Sequence, residues 1–80
     1  MDANIPAEKK KHDMKIVFTI TIHKEEKWYV AKCLENGIAS QGETMEGAMG
    51  NLREAVELYY EDAELPPFPQ TYVTVMEVSL

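Results

Sequence analysis

The side chains in this chain that could do chemistry are few, and most of them are carboxylates. Between Glu43 and Glu64 there are seven acids (Glu43, Glu46, Glu54, Glu57, Glu61, Asp62, Glu64) against Arg53 alone, a sum of −6. Glu54, Glu57 and Glu61 fall three and four residues apart, which places them on one ridge if the segment is helical. Carboxylates on one helix ridge suit the capture of a cationic surface. A two-metal nuclease or a general acid–base pair draws its groups from several elements, so this spacing argues against catalysis. A solvated helix face is the commonest explanation of such a ridge. Here the acids run on into the helix C-terminus, where the macrodipole disfavours them, and that favours a binding role. His12, His23 and Cys33 form no zinc-spaced set. His23 ends a strand pattern, Cys33 sits within one, and no phosphate-binding glycine loop or nucleophilic triad order is present. Neither a cofactor nor a metal is expected. Trp28, Tyr29, Tyr59, Tyr60 and Tyr72 lack the basic neighbours of a base-stacking surface and read as core or interface.

The elements that must hold these residues follow from hydrophobic period. From Met14 to His23, Ile16, Phe18, Ile20 and Ile22 alternate with Val17, Thr19, Thr21 and His23, the pattern of a strand. Lys24 to Lys27 is a tight charged connection to a second strand, Trp28 to Glu35. Asn36-Gly37 signals a two-residue turn into a short third strand, Ile38 to Gln41. Thr44 is the expected N-cap of a helix whose apolar stripe runs through Met45, Ala48, Met49, Leu52, Val56, Tyr59 and Ala63. Gly47 and Gly50 soften its start by about 1 kcal/mol each relative to alanine. Arg53 and Glu57 are spaced to pair across one turn. Leu65-Pro66-Pro67-Phe68-Pro69 stops the helix. From Thr71 to Leu80 the chain alternates again, with Tyr72, Met76, Val78 and Leu80 on one face and Val73, Val75 and Glu77 on the other. The predicted fold class is α+β, in the order β-β-β-α-β: a three-stranded antiparallel meander, one helix packed on the sheet, and a fourth strand.

Eighty residues make one domain, here 14–80, preceded by a flexible tail over 1–13 whose Lys9-Lys10-Lys11 run is balanced by Asp2, Glu8 and Asp13. A core this small buries about 60% of the unfolded surface and needs support. One cysteine excludes an intrachain disulfide, and one helix cannot cover both faces of a sheet, so a homo-oligomer, dimer or higher, is expected. The single thiol and the absence of an apolar leader indicate a cytoplasmic protein. No apolar run is long enough to cross a membrane. The net charge of −6 repels phosphate, so direct nucleic-acid binding is disfavoured and a basic protein partner is favoured.

Tyr29-Val30-Ala31, then Ser40-Gln41-Gly42-Glu43-Thr44-Met45-Glu46, then Ala48 and Asn51-Leu52-Arg53-Glu54-Ala55-Val56-Glu57-Leu58-Tyr59 resemble the HicB family of antitoxins. The resemblance covers roughly half of the chain and runs through the strand-to-helix junction. It implies a partial ribonuclease-H-like fold without that fold's catalytic carboxylates. It also implies a protein that binds and neutralises HicA, a small basic toxin that degrades mRNA, by occlusion. Glu54, Glu57 and Glu61 are the expected partner contacts. The sequence departs from the family at Cys33-Leu34-Glu35-Asn36-Gly37, where relatives often have Pro-Glu-Leu-Pro-Gly, and at Gly47, where they often have glutamate. It also stops at Leu80, before any operator-binding segment. The alternative is a solitary oligomeric regulatory or scaffold module with no toxin. A metal-dependent ribonuclease is a third reading.

Overall fold

The computed structural model describes residues 15–80, so the segment read as a tail lies outside the described residues. Strand β1 (Ile20–Glu25) pairs antiparallel with β2 (Trp28–Cys33), and β2 pairs antiparallel with β3 (Ala39–Gly42), in the sheet order β1-β2-β3. Glu25 lies opposite Trp28, leaving Glu26-Lys27 as a two-residue turn, with Glu26 at φ 55°. The expected first strand is therefore shifted. Lys24 and Glu25 join it, and of the described residues before Ile20, Lys15 to Thr19 do not, because β2 ends at Cys33 and offers them no ladder partner; Met14 lies outside the described residues. Thr19 is held differently. Its carbonyl accepts from the Leu34 amide at 2.8 Å, and its own amide donates to the Glu35 carboxylate at 2.8 Å.

The second connection is longer than the expected Asn36-Gly37 turn. Leu34 to Gly37 form a four-residue loop closed by Cys33 N–H to the Ile38 carbonyl and Gly37 N–H to the Cys33 carbonyl, both 2.8 Å. Gly37 takes the left-handed conformation at φ 78°, and the Asn36 side chain accepts from the Ile38 amide at 3.0 Å. The asparagine thus turns the chain through its own side chain and leaves only the glycine at positive φ.

Helix α1 (Met45–Tyr59) begins where expected. Thr44 is extended (φ −132°, ψ 165°) and its hydroxyl accepts from the Gly47 amide at 2.9 Å. The helix start lies directly on Gly42. A Cβ at that position would stand 2.6 Å from the Ala48 nitrogen and 2.8 Å from the Gly47 carbonyl carbon, so only glycine fits. This contact brings Ala48 and Leu52 over Ala31 and Cys33, the four residues of the buried cluster. Phe18, Ile20, Ile22, Tyr29, Ile38 and Val56 pack around it. By strand alternation the opposite face of the sheet carries Thr21 and His23 of β1, and Trp28, Val30 and Lys32 of β2. Helix α1 packs on β3 and β2, with β1 at the margin of its cover.

Two expectations change at the helix end. The helix stops at Tyr59, and Tyr60 is its C-cap, with its amide bonded to the Val56 carbonyl at 3.1 Å. Tyr60, not Tyr59, is the buried tyrosine: it is 8% exposed against 59% for its neighbour. Its hydroxyl accepts from Asn36 Nδ2 at 3.1 Å, and its ring lies 6.1 Å from Phe18 and 6.0 Å from Phe68. Pulling Tyr60 onto the sheet turns the backbone out of the helix before Glu61. The predicted fourth strand is not shown: among the described residues, Thr71 to Leu80 pair with no strand. Tyr72, Val73, Val75, Met76, Val78 and Leu80 are between 61% and 117% exposed. An extended segment becomes a strand only when a neighbour takes its backbone groups, and none lies beside it.

Candidate functional site

Helix geometry sets Glu54 and Glu57 on the side of α1 away from Leu52, and both are exposed. Glu61 is exposed too, but it lies in the turn after the helix, with its amide on the Leu58 carbonyl at 3.3 Å. The three-residue ridge is therefore two residues on the helix and one on its exit. The charge imbalance is redistributed in the same way. Glu46, Glu54, Glu57 and Arg53 are the charged residues of α1, a sum of −2, while Glu61, Asp62 and Glu64 follow it. No basic residue occupies the last turn of α1. Acids thus gather where the helix dipole is also negative, which deepens the local potential and attracts a cation. Arg53, spaced to pair with Glu57, forms no ion pair with it among the described residues. It lines a shallow groove with Ile22, Met45, Glu46, Met49 and Gly50 instead.

Beside these carboxylates stand two apolar side chains that the sequence pattern did not mark as surface. Leu58 is 67% exposed, and Tyr59 was expected within the buried stripe. The signal for Leu58 was available, since it falls off the Leu52 face of the helix. For Tyr59 there was none, because its spacing matches the stripe and only the end of the sheet beneath it leaves it uncovered. Apolar and aromatic groups rimmed by charge are the composition of a protein-binding patch.

The remaining candidates do not converge. His23 points to the sheet face opposite α1, where its Nε2 meets Glu25 Oε2 at 2.9 Å. Cys33 is buried on the face under the helix. Among the described residues no three His, Cys, Asp or Glu side chains are placed to hold one metal ion. No helix among them is long and apolar enough to cross a membrane.

Glu35, counted in the sequence only as a charge, has both carboxylate oxygens hydrogen-bonded. Its Oε1 accepts from the Thr19 amide at 2.8 Å and its Oε2 from the Thr19 hydroxyl at 2.7 Å. The Thr19 amide, then the Thr19 hydroxyl, and with a smaller effect the Thr71 hydroxyl, hold its pKa at about 2, below the ordinary 4.5. Its hydrogen bonds join two parts of the chain, the loop after β2 and the entry to β1.

The chain matches the family of unknown function DUF7387 over residues 6–72. It is also similar to the UPF0150 protein ssr1765 of Synechocystis sp. (strain ATCC 27184 / PCC 6803 / Kazusa), at 39% identity over 67 residues, covering 79% of this chain and 85% of that protein. No solved structure matches it significantly. The family match takes in the whole sheet, the helix and the link beyond it, and the chain belongs to the DUF7387 family.

Proposed function

We propose that this chain is an antitoxin-like binding module of the HicB type, which masks a small basic mRNA-degrading protein of the HicA type by occupying its surface. The observation that carries the reading is the acidic patch at the end of α1. Glu54, Glu57 and Glu61 are exposed around Leu58 and Tyr59, in the negative field of the helix C-terminus. The HicB-like run from Ser40 to Tyr59 supports it, because it spans the Thr44 cap and the two patch acids on the helix, Glu54 and Glu57. The finer fold assignment, a partial ribonuclease-H-like module with Thr71 to Leu80 as fourth strand, belongs to this proposal. On this reading the carboxylates steer a cationic partner, and the apolar pair beside them supplies desolvated contact.

The test is co-expression with any small basic protein encoded beside the gene, followed by capture and kinetic binding measurements across salt concentrations. Capture that weakens with salt is expected. Changing Glu54, Glu57 and Glu61 together to lysine should slow association by about tenfold or more, because steering is lost and reversed. Unchanged affinity of the triple variant would remove this patch as the interface. Cleavage of labelled RNA by this chain alone with magnesium or manganese would overturn the binding-module reading altogether.

A further inference from the structure

The sheet has two edges, and they are not equivalent. Cys33 exchanges its backbone bonds with the β3 side, through the Ile38 carbonyl and the Gly37 amide. Ile20, opposite Cys33, therefore directs its own N–H and C=O away from β2, and by alternation so do Ile22 and Lys24. Thr19, one residue earlier, bonds toward β2 through its carbonyl to Leu34, as this phase requires. Among the described residues no strand takes the outward groups of Ile20, Ile22 and Lys24. On the other edge the same alternation turns Gln41 outward, and there its carbonyl already accepts from Asn51 Nδ2 at 2.8 Å. The edge of β3 is blocked by a side chain of the helix above it, while the edge of β1 is open.

Beside that open edge lies the apolar groove between β1 and the start of α1, about 370 Å3, with Ile22, Met45 and Met49 as its floor and wall. The same chain carries the missing piece. Thr71 to Leu80 alternates in period two, has its apolar face at Tyr72, Met76, Val78 and Leu80, is exposed from Tyr72 onward, and pairs with no strand among the described residues. The link that leads to it is stiff: Pro66, Pro67 and Pro69 fix their φ, and Phe68 is fastened edge-on to Phe18 with ring centres 5.3 Å apart. Proline-stiffened hinges favour passing a strand to a neighbour over folding it back.

We propose that two copies of this chain exchange their C-terminal segments, each segment adding as a fourth strand to the β1 edge of the partner copy. Its face of Tyr72, Met76, Val78 and Leu80 fills the groove over Ile22, Met45 and Met49. A two-fold arrangement satisfies both open edges and both exposed segments at once, since each copy gives what it lacks. Burying the apolar side chains of both segments and an equal area of acceptor surface reaches about 2,000 Å2, the size of a stable protein interface. The open backbone groups of β1 are protected in the same step from uncontrolled strand addition. This inference does not depend on the acidic patch, since Ile22, Met45 and Met49 are not among its residues.

Sedimentation of the full chain at micromolar concentration should give a dimer. Val75→Pro combined with Met76→Pro should weaken dimerisation by about 100-fold or more, because adjacent strand residues direct their N–H groups to opposite edges and one of the two prolines therefore removes a ladder donor to β1. That variant should leave the amide spectrum of Ile20 to Tyr59 in each monomer folded, since Val75 and Met76 are 93% and 84% exposed and lie in no strand of the sheet. In a sample mixed from isotope-labelled and unlabelled protein, filtered NOE spectra should show contacts between Met76 or Val78 of one copy and Ile22 or Met49 of the other. A monomeric wild type overturns the proposal, as does a dimer in which those contacts occur only within one copy. A dimer whose only intercopy contacts join the two C-terminal segments to each other overturns it as well.

Discussion

Replacing glycine by alanine in this protein should have opposite effects at two positions eight residues apart, and the structure sets both signs. At Gly42 the new methyl group would lie 2.6 Å from the Ala48 nitrogen, where ordinary contact begins near 3.4 Å. The 0.8 Å shortfall is against backbone on both sides, so no side chain can swing away. Helix α1 must lift from β3 at its first turn, loosening Ala48 over Ala31 and Cys33. Overpacking of this kind costs about 1–3 kcal/mol, out of a total near 4–12 kcal/mol for a domain of this length. At Gly50, in the exposed helix interior, a Cβ meets nothing within 4 Å, so alanine should add about 0.8–1 kcal/mol through helix propensity alone. Urea unfolding followed by helix circular dichroism, at one low protein concentration so that association does not enter, reads both changes. With a slope near 1 kcal/mol per molar for so small a domain, Gly42→Ala should lower the midpoint by about 1–3 M and Gly50→Ala raise it by about 1 M. If both substitutions move the midpoint the same way, or Gly42→Ala leaves it unmoved, the close seating of the helix on β3 is wrong.

Glu35 is held below its unfolded value by Thr19, so its contribution to stability is complete above about 4.5 and is lost as pH falls toward about 2. Glu35→Gln should therefore be less stable than wild type at neutral pH, with the gap closing through that acid window in paired thermal melts; a gap independent of pH contradicts the Thr19 contacts. Thr44→Ala removes the acceptor for the Gly47 amide and should cost about 1 kcal/mol in urea titrations, while Thr44→Ser should restore most of it.

The local readings that survived rest on bonds made within a few residues. Thr44 caps α1 because its hydroxyl reaches an amide three residues on, and the Ala48–Leu52–Val56 stripe faces the sheet because helix period is local. The meander of three antiparallel strands was legible for the same reason, since period two and turn residues carry it. The boundaries were not. Strand β1 starts at Ile20 because of where β2 ends, and the Asn36-Gly37 turn became a four-residue loop because the Asn36 side chain is claimed by Ile38 and Tyr60.

The amino-acid order thus determined which segments are helical or extended and that negative charge gathers from Glu43 to Glu64, both being properties of neighbours along the chain. Only the tertiary structure decided what those segments meet. It chose Tyr60 over Tyr59 for the core, moved Glu61 off the helix, and made Glu35 a junction between segments sixteen residues apart. It also left the β-patterned segment Thr71 to Leu80 without a strand partner. Periodicity states that such a segment can pair but not with what, because a backbone hydrogen bond is completed in space and the partner's position is not written in the segment that needs it.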